Sequence, residues 1–395
     1  MVAASAASPA QAPANAQQQN MLARQLVLAQ AIDMWLPIAQ GTISSAIAGQ
    51  VVNIPARNVG LIKRFVIELT FTVARAAAET QTRTEMGPAN ALSQIIFTDL
   101  SNQNRIQTAG WHMHALATAR RQLVNGAAYT TDTPTGFASN FSVISAPSSF
   151  TAGNQTIRMF YEIPIAYGDY DLRGAVYANV VNATMNLQFT INPTFFVGSA
   201  ADPTLAVYQS STAGDIGTLS SVSYTIYQNF LDQLPVGKQG PVLPLLDLSQ
   251  AYLLNNTQIS GLVANQDNPI PYANFRNFLS TFALYDNNGY TTSVGGDVSY
   301  WALQSANYTN IFKLDPIIAS YMARQIIGDD CPSVAGKSMY YFDFRKKPIA
   351  TVQYGNMQLV LNPTNVQGST TAVLIGYEAL AQINQIVQAG SLYGN

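Results

Sequence analysis

Apolar and polar residues alternate along much of the chain from residue 64 onward. The clearest run places five apolar residues at every second position: Phe65, Ile67, Leu69, Phe71 and Val73. A period of two is typical of a strand that buries one face, because successive side chains point to opposite sides of a sheet. The same alternation returns in residues 157–163, 187–191 and 222–226. The pattern therefore predicts a protein built mainly from β-strands.

The order of predicted elements occurs twice along the chain. In each half, one helix precedes three strands. The predicted helices are Trp111–Leu123 and Pro316–Ile327. The strands are residues 159–164, 187–193 and 224–227 in the first half and residues 339–344, 357–363 and 373–377 in the second. A repeated order of elements is expected of a duplicated domain, and strands in these numbers suit a β-sandwich or jelly roll.

Pro and Gly residues predict where the two halves separate and where one turn lies. Residues 234–244 are dense in both types, so we expect the boundary between two domains near Leu245. This divides the chain into a first β-domain over residues 37–244 and a second over residues 245–395. Asn288 and Gly289 favour the positive φ angles of a two-residue turn, which predicts a tight hairpin at residues 285–290.

The first 36 residues predict two segments of another kind. Residues 1–20 are mostly Ala, Gln, Ser and Pro and predict a disordered arm without the form of a signal peptide. Residues 21–36 predict a helix that stops at Pro37, because proline cannot continue a hydrogen-bonded turn. This helix is apolar on almost all sides. It therefore needs cover from other protein, from a lipid surface or, equally, from its own domain.

Charged residues are scarce, and their scarcity bears on what the protein contacts. The 395 residues include 19 Lys and Arg and 21 Asp and Glu, about 10% where soluble proteins carry about 25%. Interface cores are poor in charge and rich in aromatic residues, so the composition favours extensive protein contact. A neutral β-protein with uncharged polar loops explains it equally well. The net charge of −2, without a long basic run, predicts no direct nucleic-acid partner.

Few residues could carry catalysis or bind a metal. His112 and His114 form an H-x-H pair, but there is no third His, and on a helix the two rings point about 200° apart. Asp169 and Asp171 could serve glycoside hydrolysis or bind calcium, although Asp171 also suits a local ion pair with Arg173. The single cysteine lies beside two aspartates, which disfavour a reactive thiolate. We predict no catalytic residue, no metal, no cofactor and no enzymatic activity.

Several longer strings are more specific than these statistics. They are PARNVG (Pro55–Gly60), GPAN (Gly87–Asn90), TAGWHMH (Thr108–His114), SYTIYQNFLDQLPVG (Ser223–Gly237), LLDLS (Leu245–Ser249), KLDP (Lys313–Pro316), QYGN (Gln353–Asn356) and GYE (Gly376–Glu378). In this order they resemble the major capsid protein of tectiviruses, which are tailless icosahedral phages with an internal membrane. The resemblance covers the chain from about Arg24 to Tyr377. It thins at residues 1–20, 127–156, 195–219, 255–269 and 291–297.

The resemblance implies an all-β double jelly roll: two eight-stranded β-barrels side by side, with short helices and an N-terminal helix. It implies a major capsid protein whose pseudo-hexagonal homotrimers tile an icosahedral shell around a membrane vesicle. The expected partners are neighbouring capsid trimers, penton and minor capsid proteins and, through the N-terminal region, the internal membrane. The expected location is the virion, and the host cytoplasm during assembly.

By the same resemblance, the N-terminal helix lies at the inner side of the capsid. The residues expected to contact the membrane or the inner capsid are Met21, Leu22, Arg24, Leu28, Ile32, Trp35 and Leu36.

A different function class remains open on the sequence alone. Jelly rolls also serve as carbohydrate-binding modules and viral spikes, because exposed aromatic side chains can stack on sugars. Tyr290 and Trp301, near a predicted loop, are the candidates for such a role. A jelly-roll hydrolase that uses Asp169 or Asp171 is a more distant alternative.

Overall fold

The structure is a computed structural model of the 395-residue chain. It describes residues 11–75, 79–84, 86–122, 143–151, 153–178, 183–237, 240–241, 248–287, 297–327, 339–367 and 371–382. Strands dominate these residues. The helices are α1 (Gln11–Gln30), α2 (Gly110–Gln122), α3 (Pro316–Ile327) and the single turn α4 (Thr351–Tyr354), together with a 3₁₀ turn at Gly87–Ala91.

Fourteen strands lie in the described residues of the first half of the chain. They are β1 (Ile32–Ile43), β2 (Val51–Pro55), β3 (Leu61–Arg75), β4 (Gln81–Arg83), β5 (Leu92–Thr98), β6 (Asn104–Thr108), β7 (Val143–Ser145), β8 (Ser149–Phe150), β9 (Gly153–Pro164), β10 (Val176–Tyr177), β11 (Asn186–Ile191), β12 (Phe196–Val197), β13 (Tyr208–Ser210) and β14 (Thr218–Asp232).

The remaining strands follow Asp232. They are β15 (Val236–Gly237), β16 (Gly240–Pro241), β17 (Gln250–Ser260), β18 (Asn268–Pro271), β19 (Arg276–Asp286), β20 (Val298–Ser305), β21 (Phe312–Leu314), β22 (Met339–Asp343), β23 (Ile349–Ala350), β24 (Met357–Pro363) and β25 (Ala372–Gln382).

The strand order confirms the duplication. Four strands pair in the order β1-β14-β3-β9 in the first half, and their counterparts pair as β17-β25-β19-β22 in the second. A second set of four pairs as β2-β11-β5-β6 in the first half and as β18-β24-β20-β21 in the second. Each half is therefore a jelly roll made of two facing four-stranded sheets, and the predicted double jelly roll is confirmed. We call the two halves the first roll and the second roll.

The alternation on β3 shows why these residues form a sandwich. Phe65, Ile67, Leu69, Phe71 and Val73 are fully buried in the core of the first roll. The residues between them are only half-buried, because they lie on the other face of the sheet. The second roll has a separate core around the fully buried Trp301.

One parallel strand pair joins the two rolls. Strand β6, at the edge of the first roll, pairs with β17 of the second roll through Ile106 and Gln107, which lie opposite Leu254 and Asn255. Two sheets thereby become one nine-stranded sheet that crosses from roll to roll. The helix α2 follows β6 directly and is thus held against the second roll.

The predicted N-terminal helix is wrong at both ends. Helix α1 covers Gln11–Gln30 rather than residues 21–36, and part of the predicted arm is therefore helical. Ile32, Trp35 and Leu36 belong instead to β1, which begins the first roll before residue 37 and pairs with β14 from Ile32 to Ile43. Pro37 lies in this strand, at a register shift, because proline is tolerated at the edge of a sheet. Residues 1–10 lie outside the described part.

The predicted hairpin at residues 285–290 falls largely on residues outside the described part, so it stays a prediction. The described strands on either side of it, β19 and β20, lie in different sheets and do not pair with each other. Several residues named in the sequence predictions lie outside the described part: Leu245 at the predicted domain boundary, Asn288, Gly289, Tyr290 and Cys331.

Candidate functional site

The contact between α2 and the second roll buries both faces of one sheet. The side chains of β25 alternate between the two cores: Ile375 and Tyr377 pack into the second roll, whereas Leu374 and Leu380 pack against the first. Phe282 of β19 also faces the first roll, where its ring lies 5.6 Å from the ring of His112. We call the surface between α2 and the sheet β17-β25-β19-β22 the junction.

Glycine is required at one point of the junction. A Cβ atom added to Gly376 would lie 2.4 Å from Cδ2 of His112, closer than any real Cβ contact. The small residue lets the helix approach the sheet closely. The imidazole Nδ1 of His112 lies 2.7 Å from Oγ1 of Thr108, so the ring is fixed at its other side.

A buried carboxylate lies at the centre of the junction. Glu378 is fully buried and accepts hydrogen bonds from the Tyr252 hydroxyl at 2.8 Å and the Ser280 hydroxyl at 2.6 Å. Arg120 of α2 donates to the same carboxylate at 3.2 Å and to the Tyr252 hydroxyl at 2.6 Å. A buried charge is tolerated only when paired and hydrogen-bonded. The Arg120 contact therefore fastens the first roll to the second.

The electrostatics of the junction follow from burial. Loss of solvent lowers the pKa of His112 to about 3, so the imidazole is neutral. Burial raises the pKa of Tyr252 well above its ordinary value, and the nearby Glu378 adds to this shift, so the phenol stays protonated and can donate. Burial alone would lower the pKa of Arg120, but Tyr252 and Glu378 raise it overall.

A cavity of about 590 Å³ opens beside this cluster. Met113, Ala117 and Arg120 line it from one face of α2, and Glu378 lines it from the second roll. Among its charged lining residues, Arg64 contacts Glu162 and Asp169, and Arg120 contacts Glu378. Arg345 also lines the cavity and pairs with Asp343 beside it. The cavity is part of the junction.

The N-terminal segment docks on the first roll through one face of α1. Ala23 and Val27 are buried and pack in a small cluster with Leu61, Leu231 and Leu248. Arg24 lies half-buried, 3.4 Å from Asp171. Because Leu248 precedes β17, this cluster ties the N-terminal helix to both rolls.

The structure does not bring all the predicted contact residues onto one surface. Met21 and Leu22 are exposed on α1, with exposed fractions of 54% and 55%. Ile32 and Trp35 are exposed on β1, whereas Leu36 turns inward and packs against the core of the first roll. Leu28 shares a cavity of about 360 Å³ with Trp35. The predicted set thus divides between the helix and the edge strand.

Two features were missed from the sequence. Asp33, Lys63 and Asn229 form a polar cluster at the end of β1: Nζ of Lys63 lies 2.9 Å and Nδ2 of Asn229 lies 2.6 Å from the Asp33 carboxylate. Helix α3 also leaves four apolar residues exposed: Ile317, Ile318, Tyr321 and Met322. The exposed face of α3 could have been predicted from its run of apolar residues. The polar cluster could not, because Asp33, Lys63 and Asn229 lie far apart along the chain.

The remaining chemical candidates take structural places. His112 and His114 are both buried, and no group of three or more His, Cys, Asp or Glu suited to a metal occurs among the described residues. Asp171 accepts hydrogen bonds from Arg173 through both carboxylate oxygens, in the local ion pair that the sequence suggested. Asp169 pairs with Arg64. Trp301 is fully buried and cannot stack on a sugar. None of the described helices is long and apolar enough to cross a bilayer.

Comparison with known proteins agrees with the fold. Residues 2–234 match the family P3 major capsid protein N-terminal, and residues 249–394 match P3 major capsid protein C-terminal. The chain is 37% identical over 393 residues to the major capsid protein P3 of Enterobacteria phage PRD1, covering 98% of both chains.

Solved structures show the same fold at low sequence identity. The STIV MCP superposes with a TM-score of 0.61 at 12% identity, over 89% of this chain and 97% of that one. The Faustovirus major capsid protein superposes with a TM-score of 0.54 at 7% identity, over 94% and 98% of the two chains. The carbohydrate-binding alternative finds no support in these comparisons. The chain belongs to the P3 major capsid protein family, and it is a capsid protein of the virion shell.

Proposed function

We propose that this capsid protein forms homotrimers that tile the shell around an internal membrane, alongside penton and minor capsid proteins. The observation that carries the proposal is the side-by-side pair of similar rolls, joined by one continuous sheet. Three such chains supply six similar rolls, which suits a pseudo-hexagonal outline. The proposal includes no catalytic step, no cofactor and no direct nucleic-acid contact.

The exposed side of α1 supports a contact with lipid at the inner surface. Met21, Leu22 and Leu26 are exposed there, while Ala23 and Val27 fix the opposite side of the helix to the first roll. Apolar residues on a docked amphipathic helix bind a membrane in proportion to the apolar area they bury. The lipid contact is therefore assigned to α1.

Two measurements test the proposal. Light scattering of the purified protein is expected to give the mass of a trimer, and a stable monomer at micromolar concentration contradicts it. Flotation with liposomes of mixed zwitterionic and anionic lipids tests the membrane contact. The double variant Met21→Gln, Leu22→Gln is expected to float less than the wild type.

A matched control separates lipid contact from general damage to α1. The double variant Gln25→Asn, Ala29→Gln changes exposed residues of the same helix without removing a large apolar side chain. It is expected to float like the wild type. Equal flotation of all three proteins would remove the lipid role from Met21 and Leu22 while leaving the trimer in place.

A further inference from the structure

An exposed apolar patch lies at one end of the second roll. Three connections form it: residues 272–275 between β18 and β19, residues 306–311 between β20 and β21, and residues 344–356 between β22 and β24. Each contributes one large side chain that is mostly exposed. Phe275, Tyr308 and Val352 have exposed fractions of 79%, 56% and 70%. We call this surface the second-roll patch.

Direct contacts join the three connections into one surface. The hydroxyl of the buried Thr351 accepts a hydrogen bond from the backbone N–H of Arg276 at 3.1 Å and donates to the carbonyl of the same residue at 3.1 Å. Each of these two residues is the chain neighbour of an exposed apolar residue of the patch. The rings of Tyr308 and Tyr354 lie 5.9 Å apart and connect the second loop to the third.

The backbone at Phe275 is unusual for such a residue. Its φ angle is 59°, in the left-handed region where glycine is the ordinary choice and a bulky side chain is rare. The surroundings hold it there: Arg276 is fixed by Thr351, and the N–H of Tyr272 donates to the carbonyl of Met357 at 2.9 Å. A large apolar side chain that is both strained and exposed points to a partner outside the folded chain.

The charges of the second-roll patch all have one sign. The three connections contain no Asp or Glu, and their charged residues are Arg345, Lys346 and Lys347. Arg345 donates to both carboxylate oxygens of Asp343, at 2.9 Å and 3.0 Å. Lys346 and Lys347 are exposed. The patch therefore suits an anionic partner that also accepts apolar side chains.

The other end of the second roll has the opposite character. Four acidic residues lie there in the described part, where β18 and β20 begin and where β19 and β21 end: Asp267, Asp286, Asp297 and Asp315. Positive charge on this roll is thus concentrated at the end that carries the apolar patch.

The spacing between the lysines and the apolar tip fits the layers of a bilayer. The N–H of Phe344 donates to the carbonyl of Leu279 at 2.8 Å, and Ile349 pairs with Phe278. Both lysines lie in the loop between these contacts, beside a point on β19 that is about 10 Å along the strand from Phe275. The headgroup layer is about 5–8 Å thick on each side of the hydrocarbon, and lysine side chains extend along apolar surface to reach polar groups.

The second-roll patch lies at the same end of the molecule as α1. Leu248, which packs with α1, lies two residues before β17 begins. The first residues of β17 and β19, Gln250 and Arg276, pair with adjacent residues at the end of β25. The start of β19 carries the patch. A bilayer that meets the exposed side of α1 therefore also faces the patch.

We infer that the second-roll patch is a second lipid-binding surface, which takes a bilayer with anionic headgroups. Phe275 and Val352 enter the interface, where aromatic and apolar side chains gain most from leaving water, and Lys346 and Lys347 contact headgroup phosphates. The inference uses residues of the other roll and goes beyond the contact of α1, but it rests on the proposed shell around a membrane.

The first test concerns charge and uses the full-length protein in flotation assays. One set of vesicles is pure phosphatidylcholine, and the other contains phosphatidylglycerol as well. The double variant Lys346→Gln, Lys347→Gln is expected to bind the anionic vesicles about tenfold more weakly than the wild type and the neutral ones within about twofold. Lys313→Gln is the control, because the amine of Lys313 lies 3.7 Å from the ring centroid of Tyr300, near the start of β20. It should change neither affinity by more than about twofold.

The second test concerns the apolar residues. Phe275→Asn removes the ring and suits the positive φ angle, so it is expected to keep or raise the melting temperature while binding to both kinds of vesicle falls about fivefold. Val352→Gln is expected to weaken binding about threefold. Its matched control is Val263→Gln, since Val263 is 48% exposed in the connection between β17 and β18, at the other end of the roll. That variant should bind like the wild type.

The outcomes separate the inference from the proposed function. If Phe275→Asn and the double lysine variant float like the wild type while Met21→Gln, Leu22→Gln floats less, the second lipid surface is overturned and the contact of α1 stands. The same holds if the patch variants float normally but fail to take up another capsid protein, because the patch then binds protein. A wild type that floats with neither kind of vesicle overturns both lipid contacts, and its light-scattering mass still decides the trimer.

Discussion

Helices α2 and α3 occupy the same place in two similar rolls, yet they differ in what covers them. Residues 111–116 of α2 are buried against the core of the first roll and the sheet of the second. Helix α3 buries Ala319 and Ala323 and exposes larger apolar residues. The large apolar residues of α2, Trp111, Met113 and Leu116, are therefore buried within the chain, whereas those of α3 stay exposed.

A carboxylate on each roll shows the same difference in burial. Glu378 is fully buried and bonded by three side chains, whereas Asp33 is about half exposed. A carboxylate that loses all contact with water depends on each of its partners, while a half-exposed one keeps water as an alternative. The junction should therefore respond much more strongly to substitution than the equivalent surface of the first roll.

The largest effect is expected at Glu378. Glu378→Ala leaves Arg120, Tyr252 and Ser280 without their shared acceptor, which should lower the free energy of unfolding by about 3 kcal/mol or more. Urea denaturation measures the loss. Asp267 is a matched control, because it also accepts bonds from two side chains, Tyr300 and Asn362, but at the surface. Asp267→Ala should cost less than about 1 kcal/mol, and equal losses would contradict the comparison.

A smaller effect is expected where helix and sheet approach most closely. Gly376→Ala forces its new methyl group against the ring of His112 and should cost about 2 kcal/mol by overpacking. Thermal unfolding is a suitable measurement. Gly168→Ala adds the same methyl group where no atom lies within 4 Å and should change stability by less than about 0.5 kcal/mol. A melting temperature unchanged by Gly376→Ala would mean that α2 and the sheet can move apart at little cost in stability.

The junction should also weaken in acid. Burial lowers the pKa of His112 to about 3 in the folded chain, whereas an unfolded histidine titrates near pH 6.5. Below pH 6.5 the unfolded chain therefore binds a proton that the folded chain does not. The free energy of unfolding should fall by about 1.6 kcal/mol between pH 6.5 and 5 through this group.

Denaturation at several pH values separates His112 from other groups. His112→Gln is less stable at every pH, but its stability should depend less on pH over this range than that of the wild type. Equal slopes for the two proteins would show that His112 is already accessible to protons in the folded state.

The smallest effect on folding is expected on α3. Tyr321→Ala truncates a side chain that is 56% exposed, and it should change the free energy of unfolding by less than about 0.5 kcal/mol. Leu116→Ala on α2, where the leucine is almost fully buried, should cost about 2 kcal/mol or more. Similar losses for the two truncations would mean that α3 is buried within its own chain.

The sequence predicted the parts of the fold that repeat a simple period. The alternation on β3, the helix at Pro316–Ile327 and the repeated order of elements are all confirmed. These signals are local, or they compare one local pattern with another. The extended backbone around Pro37 was missed because the ladder to β14, a strand almost 200 residues away, outweighs the helical pattern before it.

The candidate site was harder to predict, because its residues meet only in three dimensions. Arg120 lies on α2 of the first roll, whereas Tyr252 and Glu378 lie on strands β17 and β25 of the second roll. No spacing along the chain marks such a set. Glu378 lies within the GYE string that carries the family resemblance, but its burial and its partners follow only from the structure.

The position of β25 sets an order of events during synthesis. In each roll, the last strand is inserted between two that were made earlier: β14 lies between β1 and β3, and β25 lies between β17 and β19. The first roll has its inserted strand by Asp232, whereas the second must wait until Gln382 has left the ribosome. Until then β17 and β19 expose unpaired edges, and the surface that receives α2 is incomplete. A nascent chain can therefore present its first roll, but it cannot yet offer a finished unit to a growing shell.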